Sequence, residues 1–352
     1  MDSDKARLRH ALRPPTVAWP TLALFCGALV LWAFALLLPG QGLGSTLWKM
    51  TLIVIALQAL FTVMHDAAHK AISRSSWLNE ALGRVCGTLF LRAFVGFRFA
   101  HQRHHKHTND PAEDPDVWSG QGPRWLLPWR WLTQDSVYRK LYRAHWAERP
   151  LSERREVVLT TTLECLLIIG LVAAGYGKEV LLFWVIPAKL SLALLAFVID
   201  YLPHRPHRVA AKQSRFKTTR VRPSWFLALV TFHQNLHGVH HVYPSAPFYR
   251  YGTIWRLQRK TLVSRGMQVD RPSATITGIL RRLGRLGAEE NVQGARVTGP
   301  DRAAPWGDAN PCEFEARTLS PNHLTPSSPR TCADIPHQAI SPGEGLRAAG
   351  RR

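Results

Sequence analysis

Four apolar runs, arranged as two pairs, constrain this chain more than any other feature of its sequence. Val17 to Leu38 is 22 residues without a charge, and at ~1.5 Å per helical residue such a run crosses a ~30 Å hydrocarbon layer. A Gly-rich turn, Gly40 to Ser45, separates it from Thr46 to Met64, whose one charge, Lys49, lies near the start where its amine reaches the interface. The second pair is Val157 to Ala174 and Val180 to Ile199, joined by Gly175 to Glu179. Each run reads as a spanning helix, and the short Gly-containing turns make each pair a helical hairpin. Glu164, inside the third run, is costly in lipid and is expected to face other helices. A cleaved signal peptide is the competing reading of the first run, given the basic leader of Lys5, Arg7, Arg9 and Arg13. That run is long for a signal sequence and lacks a clear small-residue cleavage site.

The whole-chain averages hide these runs: 46% of the 352 residues are hydrophobic, and 45 Lys+Arg against 24 Asp+Glu leave a formal charge of +21. The composition excludes collagen and a fully disordered chain. Cys26, Cys86, Cys165, Cys312 and Cys332 form no CxxC pair, so neither a zinc ribbon nor a disulfide framework is indicated. Arg205, Arg208, Lys212, Arg215, Lys217, Arg220 and Arg222 follow the fourth run with no acidic residue among them, whereas the two hairpin turns hold only Lys178 and Glu179. By the positive-inside rule the N-terminus, the segment between the hairpins and everything after Ile199 are cytoplasmic. Basic residues flanking four spans follow from membrane insertion alone, so no nucleic-acid partner is expected. Trp77 to Phe97, interrupted by Arg84 and Arg92, reads as a buried or re-entrant helix, and the Trp- and Arg-rich Pro123 to Trp146 as one lying in the interface. From Ala288 onward eight prolines and no apolar periodicity predict a disordered tail. The organisation is therefore a basic cytosolic N-terminus (1–16), a membrane domain (17–287) and the tail (288–352).

Sixteen histidines remain to be explained, and 13 of them lie between His65 and His241. They are grouped as MHDAAHK (His65, His69), HQRHHKH (His101, His104, His105, His107), DYLPHRPH (His204, His207) and HQNLHGVHH (His233, His237, His240, His241). On a helix, positions i and i+4 share a face, so His65 and His69 can reach one metal. Even-numbered crossings place every group on the same side of the membrane, where a single site can collect them. Eight imidazoles from the HxxxH pair and the two HxxHH motifs exceed the three or four ligands of one tetrahedral zinc, which implies two metals. Imidazole suits Zn, Cu, Fe and Ni alike, so ligand type leaves the metal open. HDAAH lacks the Glu of HExxH, which disfavours a zinc peptidase. His233 could join the site, although a solvated helix face explains it more simply. His107 reads as surface or as a support to a ligand, His145 as a headgroup-level residue, and His323 and His337 in the tail are expected to bind nothing.

These residues resemble the membrane fatty acid desaturase superfamily, the membrane-bound di-iron desaturases, hydroxylases and ketolases. The resemblance is carried by HDAAH, HQRHH and HGVHH, with HTNDPAEDPDVW after the second box and HHVYPSAPFYRY after the third, over roughly residues 17–260. It implies an all-α integral membrane protein: two transmembrane hairpins with a cytosolic helical cap that holds a histidine-rich di-metal site. It further implies two iron ions that use O2 and two electrons to remove hydrogen from an unactivated C–H bond. The implied ligands are His65, His69, His101, His104, His105, His237, His240 and His241, with His204 as the additional histidine that such proteins often carry and His207 as its substitute. Asp200, one turn before His204, and Asp66 are candidates to orient a ligand; a charge at the membrane edge explains Asp200 equally well.

The expected substrate is a fatty acyl chain, which would gain a double bond. A carotenoid hydroxylase or ketolase is the nearest alternative, then an alkane hydroxylase. A metal-transport protein is the rival of a different class, but it would want a polar path through spans that offer only Glu164, Thr160 to Thr162 and Gln58. The sequence carries no Gly-rich dinucleotide fingerprint and no haem-binding domain, so electrons are expected from a ferredoxin, or a small cytochrome with its reductase. The basic stretch Arg205 to Arg222 would attract such an acidic carrier, or anionic lipid headgroups equally well. The expected location is the inner membrane in a bacterial source, with the histidines on the cytoplasmic side.

Overall fold

The computed structural model describes residues 2–40 and 42–270. These belong to one unit of the chain, Met1–Arg282, and the second, Leu283–Arg352, lies wholly outside the described residues, as do the predicted tail and its His323, His337, Cys312 and Cys332.

A short helix, α1 (Asp2–Leu12), precedes the first spanning helix, α2 (Trp19–Leu37), which opens on Pro20 and ends just before Pro39. Proline lacks an N–H and has a preset φ, so it is tolerated in a first turn and stops a helix beyond its end. The chain returns as α3 (Leu43–Ala68), which outlasts its apolar run and carries His65 in its last turn. Its first half leaves Leu43, Leu47 and Trp48 exposed, while from Ala56 to Ala68 nearly every residue is buried against α2 and the helices that follow. The second hairpin is α7 (Leu151–Ala173) and α8 (Gly177–Tyr201). All four helices are long and apolar enough to cross a membrane.

Polar contacts inside the apolar layer fix how the hairpins meet. Gln58 Nε2 donates to Ser191 Oγ at 2.7 Å and to the Ser191 carbonyl at 3.1 Å, tying α3 to α8; interhelical bonds of this kind contribute about 0.6–2 kcal/mol in lipid. Lys49 lies over the Phe183 ring at 5.6 Å. Glu164 is 7% exposed between Leu163 at 56% and Leu166 at 59%, so it faces protein, as its cost in lipid requires.

The segment between the hairpins departs from expectation. Trp77 to Phe97 is two helices rather than one, α4 (Ser76–Leu89) and α5 (Phe94–His107), with Leu91 at φ +55° in the break. The break is possible because Gly87 has no side chain: a Cβ there would sit 2.6 Å from the Arg92 carbonyl. The turn frees α5 to point its histidines under α3. Pro123 to Trp146 resolves into α6 (Leu127–Ala144), with Trp125 77% and Trp129 63% exposed, as an interfacial helix demands.

Beyond α8 the chain forms α9 (Trp225–Val230), α10 (His237–Val242) and α11 (Tyr251–Ser264). A two-residue parallel pair, β1 (Arg220–Val221) with β2 (Gln268–Val269), is the only strand pairing beyond an isolated bridge among the described residues and a small addition to the all-α expectation. One apolar cluster is built around Leu57, Leu60, Met64, Phe94 and Phe97, a second gathers here around Val221, Val239, Tyr251 and Ile254, and Phe232 and Tyr249 pack on both. Buried Asp66 joins them: it accepts from Thr21 Oγ1 at 3.2 Å and from the Phe248 N–H at 3.3 Å.

Gly87→Val is expected to lower stability by about 1–3 kcal/mol through overpacking and to loosen α5. Gly27→Ala, where nothing lies within 4 Å of the added carbon, should be silent. Melting of both variants in detergent checks the difference.

Candidate metal centre

The helix ends that converge below α3 deliver the histidines. His65 and His69 close α3, His101, His104 and His105 occupy the last turns of α5, and His237, His240 and His241 make up half of α10. His204 follows the wide π-type turn Ala196–Tyr201 that ends α8. All nine predicted ligands come together, in two groups. His65, His69, His101, His105 and His240 place ring nitrogens within 4.8 Å of one another, and so do His104, His204, His237 and His241.

In the first group His69 Nε2 meets His101 Nε2 at 2.8 Å, and His105 Nε2 meets His240 Nε2 at 2.8 Å. His65 is fully buried with neither nitrogen hydrogen-bonded, its ring 4.2 Å from that of His240. In the second, His241 Nε2 lies 3.2 Å from His104 Nε2 and 3.1 Å from His237 Nε2. His204 again has both nitrogens buried without a partner, 4.7 Å from the ring of His104.

Burial keeps most of these rings neutral. It drives His69 and His237 down to about 3, helped by the neighbouring His104, and holds His101, His105, His204, His240 and His241 well below the ordinary value. A neutral imidazole has one lone pair and one N–H. Nitrogens that converge unpaired in a dry site fit a Lewis acid better than they fit one another, and an all-nitrogen set of five and four suits two first-row transition ions.

The outer nitrogens are held by other side chains. His104 Nδ1 lies 2.8 Å from Asp114 Oδ1 and 3.2 Å from Asp116 Oδ2. Burial opposes charge on His104, yet the two carboxylates outweigh it and carry this ring up to about 9. His240 Nδ1 contacts the Tyr251 hydroxyl at 2.9 Å, and His241 Nδ1 the Thr108 hydroxyl at 3.4 Å. His104, Asp114 and Asp116 are close enough to form a third group, but the second nitrogen of His104 faces His241, so the carboxylates orient a ligand rather than compete for it.

The candidate supporting residues fare differently. Asp200 lines a cavity beside His101, His104 and His237. His207 lies against His204, ring centres 6.1 Å apart, with Nδ1 3.1 Å from Asn109 Oδ1. Asp66 bonds Thr21 and Phe248 instead of an imidazole, so its contacts join segments and not ligands. His233 is in neither group and on no helix face: it takes φ +63° before a short turn, half-buried against Phe248. His107 and His145 also stay outside both groups. Asp114, Asp116 and Tyr251 are the supporting residues that spacing did not reveal; the Asp-x-Asp pair following the second box is the signal that could have found the first two.

The family model described as fatty acid desaturase matches residues 46–272. The chain belongs to the fatty acid desaturase family. It is similar to a zeaxanthin 4-ketolase of Chlamydomonas reinhardtii, 28% identical over 75% of this chain and 59% of that protein's length. It is 27% identical to a beta-carotene ketolase of Haematococcus lacustris, over 74% of this chain and 87% of that one. An sn-1 oleoyl-lipid 12-desaturase of Arthrospira platensis is 24% identical over 58% of this chain and 66% of its own. A desaturase-family membrane oxidoreductase with histidine clusters able to hold metal is thus the coarse description of this protein.

Asp114→Asn should weaken metal binding about 10–100-fold, read as metal retained after dialysis against a graded chelator. At His69 and His237 the folded protein refuses protons from 6.5 down to about 3 that the unfolded chain accepts. The stability these two rings contribute to the metal-free protein is therefore complete above that range and falls as pH drops through 6.5, whereas the contribution of His104 is lost as pH rises toward 9, so melting at a series of pH values should show its maximum near neutrality.

Proposed function

We propose that this protein is an O2-dependent di-iron oxidase of a carotenoid ring, forming a ring ketone. The observation that carries the oxidase reading is the pair of all-imidazole groups, five and four nitrogens, with seven of the nine histidines buried and His69 and His105 half-buried. Two iron ions would be held by His65, His69, His101, His105 and His240 in one group and by His104, His204, His237 and His241 in the other. When bound, iron in such nitrogen-only sites supplies O2-dependent removal of hydrogen from an unactivated C–H bond.

The chain's own residues do the rest. Asp114, Asp116 and Tyr251 hold three imidazoles in orientation. Phe97 stacks on His101 at 5.3 Å and packs edge-on to Phe61 at 5.7 Å, an apolar wall that keeps water from the inner face of the centre. A small cavity of about 30 Å³ between that wall and α8, lined by Leu192, Leu195 and Ile199, lies beside His101 and His104 and gives the inner face of the centre an apolar border.

A carotenoid is placed first because two relatives covering about three quarters of this chain are ketolases of zeaxanthin and beta-carotene. Desaturation of an acyl chain is the second reading, supported by the lipid 12-desaturase. Sequence put these two in the opposite order, and the relatives put them on nearly equal terms. We place the centre on the cytoplasmic side, on the strength of the basic residues after α8. A separate ferredoxin or small cytochrome would deliver the electrons. Its basic docking surface is narrower than sequence implied: Arg205 is 8% exposed, Arg220 and Arg222 bind Asp270 at 3.1 and 2.9 Å, and Lys212 pairs with Asp110 at 2.9 Å, leaving Arg208, Arg215 and Lys217 as its exposed charges outside those pairs.

Iron near two per chain is expected in purified protein, and stoichiometric zinc without iron would sink the oxidase reading. Pigment and lipid profiling of a host that makes carotenoids, expressing the wild type or His65→Ala, separates the substrates. New ring ketones that vanish in the variant support the proposal, new double bonds in acyl chains favour the second reading, and a change in cellular metal alone favours transport.

A further inference from the structure

Seven of the nine proposed ligands are buried, and the two that are half-exposed, His69 and His105, lie side by side with ring centres 4.6 Å apart. Both belong to the group of five. Their Nε2 atoms turn inward, to His101 and His240 at 2.8 Å each, so it is the outer edges of the two rings that meet solvent. The second group has no such edge, because His104, His204, His237 and His241 are all buried. The centre is thus open to a protein partner on one side.

That side is basic. Lys70 follows His69, Lys106 follows His105, and both lysines are exposed. Gln102, one turn before Lys106 and exposed with it, donates through Nε2 to the Ala68 carbonyl at 3.4 Å, which holds the end of α3 beside the last turns of α5. Neither lysine has an ion-pair partner among the described residues. Exposed Arg74, four positions after Lys70, donates through Nε to the Pro14 carbonyl at 3.3 Å. The acids that follow α5 are already engaged: Glu113 pairs with Arg103, and Asp110 with Lys212 at 2.9 Å. Unpaired cations around the ring edges raise the local concentration of an acidic partner and speed its arrival. Anionic headgroups would also answer such charges, but a headgroup site needs no metal ligand beside it. These cations flank the place where ligands reach solvent, which is what electron entry requires.

We propose that Lys70, Arg74 and Lys106 form the seat of an acidic one-electron carrier protein, which docks on the edges of His69 and His105 so that electrons enter through the group of five. This rests on the oxidase reading and names the entry point of its two electrons. In each encounter the carrier is oxidised by one electron and one ferric ion is reduced to ferrous, so two encounters reduce both ions. The exposed charges after α8 steer the carrier without seating it: Arg215 Nη2 donates to the Val242 carbonyl at 2.8 Å, beside His241, whose group has no exposed edge. Contacts of electron carriers are small and short-lived, so the effect of charge is read chiefly in the rate of encounter.

The test is rapid mixing of the full-length iron-loaded protein, in uncharged detergent micelles, with a reduced two-iron, two-sulfur ferredoxin of the plant type, followed by ferredoxin absorbance. Binding of the oxidised ferredoxin is measured alongside by fluorescence anisotropy. Lys70→Glu combined with Lys106→Glu is expected to slow electron transfer and weaken binding about 10-fold or more at low salt, a difference that shrinks to within about 3-fold at high salt. Photoreduced deazariboflavin, which is small and uncharged, should reduce the iron of both proteins at the same rate. Should the double variant lose its iron, Lys106→Glu alone, at an exposed position of α5, carries the same test and should slow transfer about 3-fold or more. Equal ferredoxin rates in wild type and variant overturn the seat. So does a loss confined to Arg208→Glu with Lys217→Glu, which returns docking to the segment after α8. A double variant that keeps its ferredoxin rate but no longer binds vesicles of phosphatidylglycerol overturns it as well and assigns the lysines to headgroups. Ferredoxin binding that the double variant loses, in a wild type that holds no reducible iron, would instead strike down the oxidase reading and leave the surface standing.

Discussion

Neutral imidazole nitrogens that converge where water cannot reach them are the constraint on which this structure depends. Seven of the nine histidines are buried and His69 and His105 half-buried, and burial holds most of the rings uncharged. Such an arrangement persists only if the surrounding helices over-determine it, and they do. α3 brings two rings from above, α5 brings three from the side, α10 brings three from below, and His204 reaches in from the end of α8. The membrane hairpins are the frame that lets four sequence-distant segments end at one depth.

The frame and the centre are tied by a few buried polar residues. Asp66 sits one position after His65, yet it bonds α2 and the segment after α10, so the first histidine box also anchors the third. Asn109 donates to the carbonyls of Val209 and Thr218 and accepts opposite His207, fastening the loop that follows α8 to the end of α5. Gly87 and Gly83 work by absence: a Cβ at the first would strike the Arg92 backbone, and one at the second the Phe94 ring at 2.4 Å. The same tight turn that starts α5 in the right direction also delivers Arg92 to the cavity beside His104, so ligand placement and that part of the cavity lining share one cause.

Much of this was legible in the residues. Apolar runs of spanning length and the HxxxH and HxxHH spacings carry their meaning locally, because both depend only on helical rise and periodicity. What escaped was whatever depends on a partner far along the chain. The break at Phe90 to Ala93 is invisible to hydropathy, since apolar residues continue on both sides of it, Val85 to Leu89 before and Phe94 to Phe97 after. His233 read as a solvated helix-face residue but sits at a left-handed backbone position before a short turn, and Arg220 and Arg222 looked like free surface charge until Asp270 claimed them.

By itself the sequence determined that the chain crosses a lipid layer four times and that its histidines return to one face, because charge, length and helical period allow little else. Only the tertiary structure decided that nine rings divide into five and four, that Asp114 and Asp116 hold His104, and that a small cavity opens beside it. Those outcomes depend on distances between side chains as remote in the chain as His104 and His241, 137 positions apart, and no local pattern encodes how separate helix ends will meet.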